Sequence, residues 1–188
     1  MVVGVLALQG DFEAHCAVLT ALGAECRLVK TPRDLDGLDG LVMPGGESTT
    51  MTLGIEREGL ADPLRAFHAA GRPIFGTCAG LILLDREHLD LMDIVAERNA
   101  FGRQLHSFEE DLQFPDMDGG PVRAVFIRAP WITEHGPDVE VLAAVDGQPV
   151  AARQGTLLAI SFHPELGDDD RLHRAFLDQV RAARNGSG

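Results

Sequence analysis

The apolar positions of this chain fall alternately in short continuous runs and at helical intervals, and the alternation repeats along the first half. Val2 to Leu8 is an unbroken apolar run closed by Gln9 and Gly10, the pattern of a strand buried on both faces. From Asp11, residues Phe12, Ala14, Val18, Leu19 and Leu22 recur at helical spacing, with Asp11 as candidate N-cap and Gly23 as the stop. Cys26 to Val29 predicts a second strand and Thr31-Pro32 a short helical turn. Leu41 to Met43 predicts a third strand, broken by Pro44-Gly45-Gly46. Asp62-Pro63 opens a helix that carries Leu64, Phe67 and Ala70 and ends at Gly71. Pro73 to Leu84 then reads as a buried strand, a sharp turn at Cys78 and a helix starting at Ala79.

This alternation predicts an α/β fold with a doubly wound, mostly parallel sheet and helices on both faces. Right-handed crossovers would bring the strand ends after Leu8, Met43 and Phe75 to one edge. Beyond Leu84 the apolar segments shorten to Ile94–Glu97, Val122–Ile127, Val139–Val145 and Pro149–Ala152, which read as antiparallel additions. Asp146-Gly147 is a hairpin signal between two of them. Asp111 to Pro121, rich in Asp, Gly and Pro, reads as an exposed loop. Leu157 to Ile160 is the last strand. The final helix, from about Asp169 to Arg184, shows a packing stripe of Leu172, Phe176, Val180 and Ala183, and Asn185 to Gly188 is expected to fray. With no linker or internal repeat, residues 1–188 are expected to form one domain.

Composition narrows the function. A chain of 188 residues with 16 basic and 29 acidic side chains carries a net charge of -13, which opposes general binding to nucleic-acid backbones. Cys16, Cys26 and Cys78 show neither C-x-x-C pairing nor metal-ligand spacing. No metal site or disulfide framework is therefore expected, and a reducing, cytoplasmic setting fits. The first apolar run ends at Leu8 and lacks a basic flank, so neither a signal peptide nor a membrane span is expected.

Three segments carry candidate chemistry. Gly76-Thr77-Cys78-Ala79-Gly80 is the thiol counterpart of the G-x-S-x-G nucleophile elbow, where small neighbours let the backbone bend and hold one side chain exposed. A helix starting at Ala79 would favour thiolate and offer backbone N–H groups to an oxyanion. The alternative is a core cysteine between two packing glycines. Pro44 to Thr50, P-G-G-E-S-T-T, sits where a strand ends, and Glu47 and Ser48 could hold a polar substrate there. Alternatively it is a turn with Ser48 capping a helix and Glu47 in solvent. Neither G-x-x-x-x-G-K-[ST] nor G-x-G-x-x-G is present, which argues against a phosphate loop. Finally, His163 and Glu165 flank Pro164, so in an extended segment both point to one face. They could serve Cys78 as base and orienting carboxylate, or form a plain turn at a strand end.

Gly4 to Gly10, Pro44 to Thr50, Gly76 to Leu84 and Ser161 to Leu166 together make the chain resemble the class I glutamine amidotransferases nearly end to end. Glu97 to Gln104 (E-R-N-A-F-G-R-Q), Ser107 to Glu109 and Phe126 to Pro130 (F-I-R-A-P) resemble the vitamin B6 branch, the glutaminase subunits of pyridoxal 5'-phosphate synthase. The resemblance implies a flavodoxin-like three-layer fold. It further implies that Cys78 attacks the amide of L-glutamine while His163 and Glu165 complete the relay, through a glutamyl thioester. Gly46 and Ala79 match the family's oxyanion hole, and Gly46, Glu47, Ser48, Arg98, Ile127 and Arg128 its substrate contacts. The arginines suit a substrate carboxylate, or alternatively structural ion pairs. No cofactor is implied. The partner implied is a (β/α)8-barrel synthase subunit that takes the ammonia directly and builds pyridoxal phosphate from a pentose phosphate and a triose phosphate. The Gln9-Gly10 turn and the helix after it are the candidate contact surface. Two departures stand out: Ala14 occupies the place before His15 where the family commonly has Glu, and Gly167 follows H-P-E-L where Thr is common.

Rival readings are an amidotransferase branch feeding another acceptor, a cysteine peptidase or stress-response hydrolase on the same architecture, and a binding module without chemistry. The vitamin B6 segments oppose the first. Ala79 after Cys78, where such hydrolases commonly carry the base, opposes the second, and the presence of all three relay residue types opposes the third.

Overall fold

The computed structural model describes residues 1–98 and 107–186; Asn99 to Gln104 of the E-R-N-A-F-G-R-Q segment lie outside the described residues. The chain begins with strand β1 (Val2–Leu6), helix α1 (Phe12–Ala21) and strand β2 (Glu25–Val29). A 3-10 turn over Pro32–Leu35 leads to β3 (Gly40–Met43), α2 (Ser48–Glu58), α3 (Ala61–Ala69), β4 (Ile74–Thr77) and α4 (Ala79–Leu84). Six short strands follow: β5 (Ile94–Glu97), β6 (Ser107–Leu112), β7 (Val122–Ile127), β8 (Trp131–His135), β9 (Glu140–Val145) and β10 (Gln148–Gln154). Strand β11 (Leu157–Ile160), a 3-10 turn over Pro164–Leu166 and helix α5 (Arg171–Gly186) complete it.

Seven strands form one sheet in the order β2-β1-β3-β4-β11-β10-β9. The first five are parallel, and β10 and β9 add on antiparallel through the Asp146-Gly147 turn. The period-two alternation of strand side chains divides the core into two layers. Leu6, Leu41, Met43, Ile74, Leu157 and Ala159 face the layer shared with α2, α3 and α4. Val3, Val5, Val42, Phe75, Leu158 and Ile160 face α1 and α5, where they meet Leu19, Phe176 and Val180. Burial on both faces explains why these strands read as continuous apolar runs. The doubly wound, mostly parallel reading therefore holds, and it puts the ends of β1, β3, β4 and β11 along one edge.

Elsewhere the structure departs from expectation. The loop read from Asp111 begins later, because Asp111 and Leu112 belong to β6, which pairs antiparallel with β7. Phe114, inside that segment, is buried rather than exposed. Strand β8, which carried no prediction, pairs with β5. Helix α5 starts at Arg171 and continues through Asn185 and Gly186, so the tail is shorter than expected. The cysteines are also corrected. Cys16 on α1 and Cys26 on β2 are joined in a disulfide with their Cα atoms 5.5 Å apart, leaving Cys78 free. Motif spacing misses such a bridge because packing of a helix on its neighbouring strand makes it. The cysteine count consequently gives no argument for a reducing compartment. Among the described residues no helix is long and apolar enough to cross a membrane.

Candidate active site

Cys78 sits at the join of β4 and α4 with φ 49° and ψ -105°, a positive φ that side-chain-bearing residues rarely adopt. Its N–H donates to the Ile160 carbonyl at 2.8 Å, which ties the turn to β11. The flanking glycines are required by close approach. A Cβ on Gly76 would lie 2.7 Å from the Gly80 backbone, and one on Gly80 would run into the Met43 carbonyl oxygen. The elbow thus packs the first turn of α4 directly on β3 and β4, and the thiol projects at the sheet edge, with Sγ 4.0 Å from the Ile127 carbonyl.

His163 follows β11, and its N–H donates to the Val125 carbonyl of β7 at 2.9 Å. Its Nδ1 lies 2.7 Å from Glu165 Oε1, and the Glu165 side chain is fully buried. Burial opposes a charge on His163, but the hydrogen bonds and charges of Cys78 and Glu165 outweigh it and raise its pKa to about 10. Glu165, His163 and Cys78 therefore stand in one continuous row, the carboxylate against the ring and the ring against the thiol.

In front of the thiol opens a cleft of about 350 Å³ lined by Gly46, Glu47, Ser48, Cys78, Ala79, Arg98, Ile127, Arg128 and His163. All the sequence-derived site residues meet there except Glu165, which lies behind His163. Asp11, Ile82 and Pro130, which carried no site prediction, also line it, as do Gln9 and Gly10, which were expected at a partner contact rather than in the cleft. The position of Gln9 and Asp11 just after a parallel strand was the available signal. Gln9 does a definite job: its Oε1 accepts the Glu47 N–H at 2.6 Å, fastening the loop after β3 to the loop after β1.

Capping of α2 falls to Glu47 rather than Ser48. The Glu47 carboxylate accepts from the N–H of Thr49 and Thr50 at 3.2 and 2.8 Å and from the Thr50 hydroxyl at 2.8 Å. The Thr50 hydroxyl and N–H chiefly lower its pKa, burial opposes them, and the Thr49 bonds add a lesser lowering. Arg98 is held at the other wall by a chain of contacts. Its Nη1 donates to Thr49 Oγ1 at 2.9 Å and its Nη2 lies 3.2 Å from His88 Nε2, while His88 Nδ1 lies 2.7 Å from Asp85 Oδ1. A guanidinium only donates, so His88 Nε2 accepts and its Nδ1–H donates to Asp85. Arg128 closes the cleft from the end of β7 with φ 44°. Asp11, His163 and Glu165 bring possible metal-ligand atoms within 4.8 Å of one another, but the latter two are already engaged with each other in the relay.

Known proteins share the sequence family and the fold. The model of the SNO glutamine amidotransferase family matches residues 5–182. The chain is 55% identical to "Pyridoxal 5'-phosphate synthase subunit PdxT" of Geobacillus kaustophilus (strain HTA426), covering 100% of this chain and 98% of that protein. It is 52% identical to the protein of the same name from Nocardia farcinica (strain IFM 10152), over 99% of this chain and 88% of that one. A crystal structure described as a glutamine amidotransferase superposes with a TM-score of 0.90 at 46% identity, covering 96% of this chain and 99% of that one. A chain in the structure of PurLQS from Thermotoga maritima shares the fold, with a TM-score of 0.73 at 17% identity over 97% of this chain and 95% of that one.

Proposed function

Since the chain belongs to the SNO glutamine amidotransferase family, we propose that it is the glutaminase subunit of a pyridoxal 5'-phosphate synthase, hydrolysing L-glutamine to L-glutamate and ammonia at Cys78. The observation that carries this reading is the unbroken relay from Glu165 through His163 to a strained cysteine facing an open polar cleft.

In the proposed reaction the Cys78 thiolate attacks the side-chain amide carbon, and the new oxyanion is met by the backbone N–H groups of Gly46 and Ala79. Collapse breaks the C–N bond as the His163 imidazolium passes its proton to the leaving nitrogen, which departs as ammonia. A glutamyl thioester remains. Neutral His163 then takes a proton from water, the hydroxide adds to the thioester, and glutamate leaves as the thiolate reforms. Arg98 and Arg128, with Glu47, Ser48 and Ile127, bind the amino-acid end of the substrate. Ammonia in neutral water is mostly ammonium and useless as a nucleophile, so it passes directly to a (β/α)8-barrel synthase subunit. Because that partner works on phosphorylated sugars, which a membrane retains, the proposed setting is the cytoplasm.

The test is glutamate release from glutamine by the chain alone and with its barrel partner, beside Cys78→Ala. Release that rises with the partner and falls below detection in the variant is expected. Glutamate production persisting in Cys78→Ala would reject the thiol mechanism, and none from a folded, complexed wild type would reject the glutaminase reading.

A further inference from the structure

Behind the relay lies a second row of buried side chains. Glu165 turns Oε1 to His163, while its Oε2 is buried and has no hydrogen-bond partner beyond one approach, from His15 Nε2 at 3.3 Å. The same His15 nitrogen is 3.2 Å from Thr77 Oγ1, one residue before the nucleophile. The other, Nδ1, is 2.9 Å from Nε2 of His173 on α5. All three side chains behind Glu165, those of His15, Thr77 and His173, are fully buried. The groups facing His15 are thus His173 from α5, Thr77 from β4, and Glu165 with His163 from the segment after β11.

Only one proton arrangement suits this row. If His15 carried its proton on Nδ1, the lone pair of Nε2 would face the Glu165 carboxylate, and His173 would be left with a buried Nδ1–H donating to nothing. With the proton on Nε2, His15 donates to Thr77 Oγ1 and presents the same N–H to Glu165 Oε2 3.3 Å away, and its Nδ1 accepts from His173 Nε2–H. His173 Nδ1 is then an acceptor without a donor, a cheaper loss than a buried N–H without an acceptor, and Glu165 Oε2 faces an N–H rather than a lone pair. Burial, and then the neighbouring His173 and His163, lower the His15 pKa well below 6.5, which keeps the ring neutral.

We propose that His15, held in its Nε2–H tautomer by His173, is a positioning residue that fixes and solvates the buried Glu165 carboxylate so that the latter orients His163. This rests on the glutaminase reading. Without the His15 N–H, the buried Oε2 loses the one donor that approaches it. Glu165 is then no longer fixed from behind and holds the His163 ring less firmly. The effect falls on the chemical step, because His15 does not reach the cleft.

Two measurements test it. Nitrogen-15 NMR of the histidine rings in the full-length wild-type chain at neutral pH should show His15 neutral and protonated on Nε2; an Nδ1–H or doubly protonated ring would overturn the proposal. Steady-state glutamine hydrolysis with the barrel partner saturating should show His15→Leu lowering kcat by at least about tenfold with KM within about twofold. His15→Gln, which restores an N–H near the Nε2 position, should recover most of kcat. A folded His15→Leu with kcat within about twofold of wild type, or a His15→Gln no better than it, would also overturn the proposal. If wild type released no glutamate, the glutaminase reading would fail, and the tautomer would still decide whether His15 donates to Glu165.

Discussion

At the scale of single residues, the site is built by forcing side chains into positions the chain would not choose. Cys78 with φ 49° is strained for any residue bearing a Cβ, by about 1 to 3 kcal/mol. Comparing Cys78→Gly with Cys78→Ala isolates that strain. Both should lack glutamate release, yet the glycine variant should resist urea by up to about 1 kcal/mol more, despite its more flexible unfolded chain. An alanine variant of clearly higher stability would show the turn to be unstrained. The elbow and the His163-Pro164-Glu165 segment were legible in the sequence because their chemistry is compressed into adjacent positions. His15 and His173 were not, since each is a lone histidine on the inner face of a helix and only tertiary packing joins them.

Elements were legible to the extent that they obey one period. The parallel strands, buried on both faces, announced themselves as apolar runs. Strand β6 did not. Its Glu109-Glu110-Asp111 run has poor strand propensity, and pairing with β7 overrides it, with Arg123 bridging Glu109 and Asp111 at 2.9 and 3.0 Å. Helix α5 was read as packing only, whereas it also brings His173 to 2.9 Å from His15. Helix α1, which carries His15, is pinned to β2 by the Cys16–Cys26 bridge across a sequence separation of 10. Loop-closure entropy for that span gives about 2 to 3 kcal/mol as an upper figure. Cys26→Ser should therefore unfold at lower urea than wild type by up to that amount. Alkylation of the unreduced, denatured wild type should label one thiol, Cys78; labelling of three would refute the bridge.

For the whole molecule, the buried histidines make stability depend on pH in two opposite senses. His15 and His173 have lowered pKa values, in His173 to about 4, because burial disfavours their charge and Asp170 only partly offsets this for His173. Below the ordinary value of 6.5 the unfolded chain binds more protons at these sites, so stability falls as pH drops from about 6.5 toward 4. The slope is up to about 1.4 kcal/mol per pH unit for each ring. His163, raised to about 10, acts the other way: its contribution is complete below 6.5 and fades as pH climbs through 10. Urea midpoints measured across pH should flatten on the acid side in His173→Leu and on the alkaline side in His163→Gln; unchanged profiles would contradict these assignments. The order of strands in the sheet has a further effect, on how the protein comes into being. β11 lies between β4 and β10 although it is the last strand made. On the ribosome, a nascent chain that has emerged only as far as Gln154 carries its nucleophile beside an open sheet edge, without the base or its carboxylate. Closing the middle of the sheet and arming the thiol are then a single late event, and a chain released early has the cysteine but not the enzyme.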